Sequence, residues 1–157
     1  MPAVASDTSG GSWASTPAIR RSMQSNRSRD TKPELLLRRA LHARGLRYRV
    51  CAKPLPELRM KSDIVFRPAR VVVEVRGCFW HGCSEHHRKP TANSEYWTAK
   101  IGRNVARDRR NEELLRDAGW LLITVWEHED PIAAASRVDE IVRRRRAFDA
   151  DRGAKDF

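Results

Sequence analysis

Cysteine and long apolar runs are scarce in this 157-residue sequence, and acidic residues are outnumbered by basic ones. Its 3 Cys cannot close a disulfide set, which excludes a small cross-linked secreted scaffold. The longest uncharged apolar run is the seven residues Trp120 to Trp126, against the roughly 20 that a membrane-spanning helix requires. Residues 1–16 lack the basic start and the apolar centre of a signal peptide, so the expected location is the cytoplasm, with no membrane partner. Acids number 20 against 31 Lys and Arg, leaving a formal net charge of +11. Such a surface attracts polyanions, nucleic acid above all, because each neutralised phosphate releases counterions. What is present suffices for one domain, since a 40% apolar fraction fills a single core at this length.

Three stretches follow from composition: a flexible lead over 1–16, one domain over 17–150, and a flexible tail over 151–157. Thr31-Lys32-Pro33-Glu34 opens a helix, with Thr31 as N-cap and Glu34 at the capping-box position, and Gly45 closes it. Apolar and basic residues alternate from Leu46 to Cys51, which predicts a half-buried strand. Ser62–Phe66 and Arg70–Arg76 form a hairpin around Arg67-Pro68-Ala69, while Gly77–Pro90 keeps no period and reads as a loop. A charged helix from Ser94 to about Ala118, a central strand Trp120–Trp126 and a helix over about 131–148 complete the order. The expected architecture is an α/β sandwich, a mixed central sheet flanked by helices.

Two constellations carry chemistry. Cys78-x4-Cys83-x2-His86 supplies three soft ligands from the loop, with His128 past the last strand as the fourth. Thiolate and imidazole in a set of four suit a structural zinc ion, and the choice between His86 and His87 stays open. Cys51 reads as a small buried hydrophobe. Asp63 opens one hairpin strand, and Glu74 shares a face of the other with Arg76 while Val73 and Val75 point away. An acid facing an acid-x-base triplet is the layout of nucleases that hold Mg²⁺ between carboxylates. The alternative is an exposed hairpin face on which Glu74 pairs with a neighbouring Arg.

Gly77-Cys78-Phe79-Trp80-His81-Gly82 places two aromatics and a His inside the zinc loop. Together with Ser28–Leu35, Ser62–Val65, Glu95-Tyr96-Trp97, Lys100–Arg109, Ala118–Trp120 and Val125–Glu127, in that order, it resembles the very-short-patch repair endonucleases, the Vsr family of DNA mismatch nicking enzymes. The resemblance runs from Ser22 to about Glu129. It implies a restriction-endonuclease-like fold with a zinc-binding loop and Mg²⁺-dependent nicking of one strand 5′ to the thymine of a T:G mismatch. Asp63 matches the metal-binding aspartate and the Val75 carbonyl its second ligand. His81 matches the base acting through water, Asp108 its acidic partner, and Glu34 an acid contacting metal-bound water. Glu34 is equally a helix cap, and Asp108 equally an ion pair with Arg109 or Lys100.

Phe79, Trp80 and Trp97 match an aromatic wedge that enters the base stack beside the mismatch, with Met23 approaching from the other groove and Arg103 and Arg107 on phosphates. Trp97, on a helix, is alternatively a core residue. The chain departs from the family pattern at Ser62, where Pro is common, at Glu74, usually apolar, at Arg76, often His or an acid, and in its zinc set, which is less rich in Cys. The implied setting is bacterial and nucleoid-associated, with mismatched duplex DNA as substrate and mismatch-repair factors as candidate partners. A monomer suffices for one nick. A restriction-type nuclease of the same fold without mismatch preference and a non-catalytic zinc-stabilised DNA-binding module are the alternatives.

Overall fold

The computed structural model describes residues 29–78, 80–86 and 91–153. The expected lead over 1–16, Met23, Phe79, His87 and residues 154–157 of the expected tail lie outside the described residues. Helix α1 (Lys32–Ala43) starts as its sequence dictates, with Thr31 extended and Pro33 in the first turn. The cap itself differs from expectation. Thr31 bonds no backbone N–H; its hydroxyl donates to Glu34 Oε1 at 3.2 Å, and Glu34 Oε2 accepts the Asp30 N–H at 2.9 Å. The helix ends in a Schellman motif: Gly45, at φ +80°, donates to His42 O and Leu46 to Leu41 O. That motif corrects the first strand. Leu46 is 1% exposed and its N–H is spent on the helix end, so β1 begins only at Arg49 (Arg49–Ala52). Cys51 within it is half-buried, not buried, at φ +47°.

Strands β2 (Ser62–Phe66) and β3 (Val71–Arg76) form the expected antiparallel hairpin, in the register Ile64↔Val73. Helix α2 (Ser94–Asp117) then crosses over, and β4 (Leu121–Trp126) returns parallel to β3. The described sheet has the order β1-β2-β3-β4, so β4 lies at an edge and not at the expected centre. An apolar run reports burial of the two faces, which helices supply, and says nothing about partners along the edges. Here Ile123 and Val125 are buried while Leu121 is 37% exposed. Helix α3 (Pro131–Gly153) continues past the expected end at Phe148 and takes in the first residues of the expected tail.

The mixed sheet separates two apolar clusters. On one face, Leu37 and Leu41 of α1 and Val138 and Val142 of α3 meet Ile64, Phe66, Val71 and Val73. On the other, Leu115 of α2 meets Val65 and Val72, with Met60 and Leu122 packed alongside. Strand alternation thus commits the even-numbered face of β3 to the α2 side, and Glu74 and Arg76 with it. No described helix is long and apolar enough to cross a membrane.

Candidate active site and metal centre

The hairpin ladder ends at Ile64↔Val73, and one step further along this register Asp63 stands opposite Glu74. The ladder breaks there because Asp63 Oδ2 takes the Val75 N–H at 2.7 Å. Burial pushes Asp63 up to about 6, and the nearby Glu34 carboxylate adds to the rise against the Val75 N–H, Arg38 and Arg76. Burial pushes Glu74 further, to about 8, with Asp63 opposite as the next cause and the Ser62 hydroxyl working against the rise, and its Oε1 is buried with no geometrically good hydrogen bond among the described residues. Two facing carboxylates that resist ionisation, one with an orphaned oxygen, are suited to a hard divalent cation. Glu34 sits behind them, 4% exposed, its carboxylate held by the Asp30 N–H, Thr31 and Arg38 Nη2. It therefore caps the helix and adds its charge to the acidic site at the same time.

His81 enters from the loop after β3, its N–H bonded to Gly77 O at 3.2 Å. Its Nδ1 lies 2.6 Å from Oδ2 of Asp108 on α2, and Arg76 Nε is 3.9 Å from the same oxygen. Asp108 thus pairs with His81 and Arg76, and with neighbouring Arg107 at 4.0 Å, instead of Arg109 or Lys100. A carboxylate on Nδ1 assigns that nitrogen as donor and leaves Nε2 as a proton acceptor. Glu74, Arg76, His81 and Asp108 line one groove of about 270 Å³ together with Met60, Lys61, Arg107, Asn111 and Leu122.

The expected soft ligands do converge. The donor atoms of Cys78, Cys83, His86 and His128 all lie within 4.8 Å of one another. The Sγ of Cys78 is 3.1 Å and that of Cys83 3.9 Å from His128 Nδ1. Both thiols are buried, and burial and the facing Cys83 push Cys78 up to about 11. A tetrahedral ion that accepts thiolate fits this set, with the two imidazoles on the solvent side. The backbone prepares it: Glu127 Oε1 accepts the Cys78 N–H at 2.9 Å, and Gly82 turns the loop at φ +63°.

Trp80 packs edge-on to Trp97 at 5.6 Å between ring centroids. Trp97 is only 7% exposed, so it forms a wall behind Trp80 and is itself core. Asn104 donates to Trp80 O at 3.0 Å and Lys100 Nζ sits 5.4 Å from the Trp80 ring. Arg103 and Arg107 are exposed on the same helix. Arg38, Asn104 and Asn111 carry no role in the sequence reading, and Lys100 enters it only as an ion-pair partner for Asp108. The signal existed for those on α2, since residues 97, 100, 104, 108 and 111 recur at three- and four-residue steps on one helical stripe.

A mixed sheet whose hairpin opposes two half-buried carboxylates, beside an imidazole and near exposed cations, has the equipment of a metal-assisted nuclease. Residues 14–87 match the family described as DNA mismatch endonuclease Vsr. The chain is 45% identical over 132 residues to the type II nicking enzyme V.NaeI of Lentzea aerocolonigenes, covering 82% of this chain and 80% of that protein. It is 43% identical over 108 residues to the type II nicking enzyme V.XorIIP of Xanthomonas oryzae pv. oryzae, covering 68% and 77%. It is 38% identical over 111 residues to the DNA mismatch endonuclease Vsr of Escherichia coli K12, covering 68% and 67%. The chain belongs to the Vsr family and is a DNA endonuclease.

Proposed function

We propose that the protein nicks one strand of duplex DNA 5′ to the thymine of a T:G mismatch, using Mg²⁺ at the hairpin acids and a structural Zn²⁺ under the loop. The observation that carries this reading is the His81–Asp108 pair at 2.6 Å in the groove that Glu74 also lines, on a loop whose preceding residue is Trp80. A single restriction-endonuclease-like domain over about 17–150 carries the activity, working as a monomer in the cytoplasm and open to recruitment by mismatch-repair factors. Asp63, Glu74 and the Val75 carbonyl would hold the catalytic ion, and Cys78, Cys83, His86 and His128 the structural one. The hard ion supplies charge compensation for the phosphate and lowers the pKa of a bound water.

The chain's own groups do the rest. Asp108 fixes the imidazole so that His81 Nε2 takes the proton of the attacking water. Glu34, held by Arg38, orders water at the acidic site, and Arg76 Nε stands 3.9 Å from the Asp108 carboxylate as a positioning partner. Phe79 and Trp80, with Trp97 behind and Met23 from the other groove, enter the stack where a T:G wobble stacks poorly, while Arg103 and Arg107 contact phosphates. The test is a nicking assay on matched T:G and T:A duplexes with and without Mg²⁺. The expected result is Mg²⁺-dependent cleavage of one strand of T:G only, and its loss in Asp63→Ala while DNA binding persists. Equal cleavage of both duplexes would favour a nuclease without mismatch preference, and cleavage by neither a DNA-binding module.

A further inference from the structure

The groove that holds the catalytic pair is also lined by Asn111, Met60, Leu122 and Lys61, a second half of its lining that hydrolysis does not use. Helix α2 measures out the site: Trp97 backs the Trp80 ring, Asn104 holds the Trp80 carbonyl, Asp108 holds His81, and Asn111 stands one turn further on. At a rise of about 1.5 Å per residue, Trp97 to Asp108 spans roughly 16 Å and Asp108 to Asn111 roughly 4.5 Å. The order along the helix is therefore wedge, hydrolysis, then this second half.

We propose that this half, formed by Asn111, Met60, Leu122 and Lys61, is a binding subsite for the nucleotide on the side of the scissile phosphate away from Trp80, with the Asn111 carboxamide as its specificity-determining group. Met60 and Leu122 rest on the Val65, Val72 and Leu115 cluster, which makes the floor apolar and fixed, suited to a sugar or base and not to an ion. Asn111 is half-buried yet hydrogen-bonds no described residue, so its donor and acceptor are both available to a base edge. Lys61 is exposed and pairs with no described carboxylate, and Arg107, 60% exposed, lines the same groove, which suits flanking phosphates. The inference rests on the nicking reading, under which the nucleotide is the one 5′ to the mismatched thymine.

The test is steady-state nicking of T:G duplexes bearing each of the four base pairs 5′ to the thymine. Wild type should prefer one of them. Asn111→Ala should cut that preference by about tenfold and raise KM for the favoured duplex, with the T:G to T:A ratio and the melting temperature as in wild type. Asn111→Asp, which keeps the shape but only accepts, should shift the preference toward a base that donates, an outcome that a merely structural residue would not give. Lys61→Gln should lower the slope of log KM against log salt by about 1 without altering the preference. No flanking preference in wild type, an unchanged preference in Asn111→Ala, or an altered T:G to T:A ratio in its place would overturn the subsite. If wild type cuts T:A as readily as T:G, the mismatch reading fails, and the same flanking series on T:A duplexes still decides the subsite.

Discussion

Glu74 is the side chain on which the electrostatics of the site turn. Its carboxyl, ordinarily near 4.5, is pushed to about 8 by burial and by Asp63, so the folded protein keeps a proton that the unfolded chain releases. For a group raised in this way, the stabilisation is complete below about 4.5 and drains away as pH climbs through about 8. Metal-free protein should accordingly melt at progressively lower temperature between those limits. Glu74→Gln should flatten the profile, and Mg²⁺ should raise the melting temperature most at the alkaline end. A profile that rises with pH in wild type would contradict the placement of this acid. The sequence showed the spacing of Asp63, Glu74 and Arg76 but not that Asp63 would take the Val75 N–H, because that bond arises where the strands part and leaves no mark in the alternation. Arg38 and Asn111 escaped notice for a related reason, since a lone polar residue on a charged helix has no pattern until its neighbours are known.

The loop after β3 is the element that the sequence revealed most fully, because ligand chemistry leaves a signature that periodicity does not. Cys78, Cys83, His86 and His128 meet as expected. The helices and the hairpin were legible from caps and alternation, while β1 and β4 were less so. At Leu46 the alternation belonged to a helix ending, and at Trp120–Trp126 uniform apolarity concealed an edge. Protein purified in zinc should carry one equivalent of the metal by elemental analysis, and Cys83→Ser should lose it. The same variant should nick far more slowly than wild type while α1 and α3 keep their helical signal in circular dichroism, since the proposed ion would secure the loop that bears His81 and not the core beneath it. Full activity in a zinc-free Cys83→Ser protein would separate the cluster from the catalytic site.

At the level of the whole molecule, the two faces of the sheet divide the work: α1 and α3 supply most of the core, and α2 carries Asp108 and Asn111 of the groove, on the surface proposed to meet DNA. The basic run at the end of the chain illustrates why net charge is a poor guide to where nucleic acid lies. Arg145 donates to Ala69 O at 2.8 Å and to Gly119 O at 2.9 Å, tying together the turns that lead into β3 and β4. Arg145→Ala should cost about 2 kcal/mol in denaturant unfolding, the range of charge-assisted bonds to backbone, with little change in the salt dependence of DNA binding. Arg103→Gln and Arg107→Gln should do the opposite, each lowering the slope of log affinity against log salt by about 0.9. Equal salt effects from all three would move the DNA to the other face.

Trp80 and His81 are consecutive residues, and one stripe of a single helix grips both. On the proposed reading, the inspection of a lesion and the cut beside it are joined by one peptide unit with no slack between them. An engineer who reshapes the probe to accept a different lesion will also move the blade, and restoring the cut will call for a compensating change on the helix rather than on the loop.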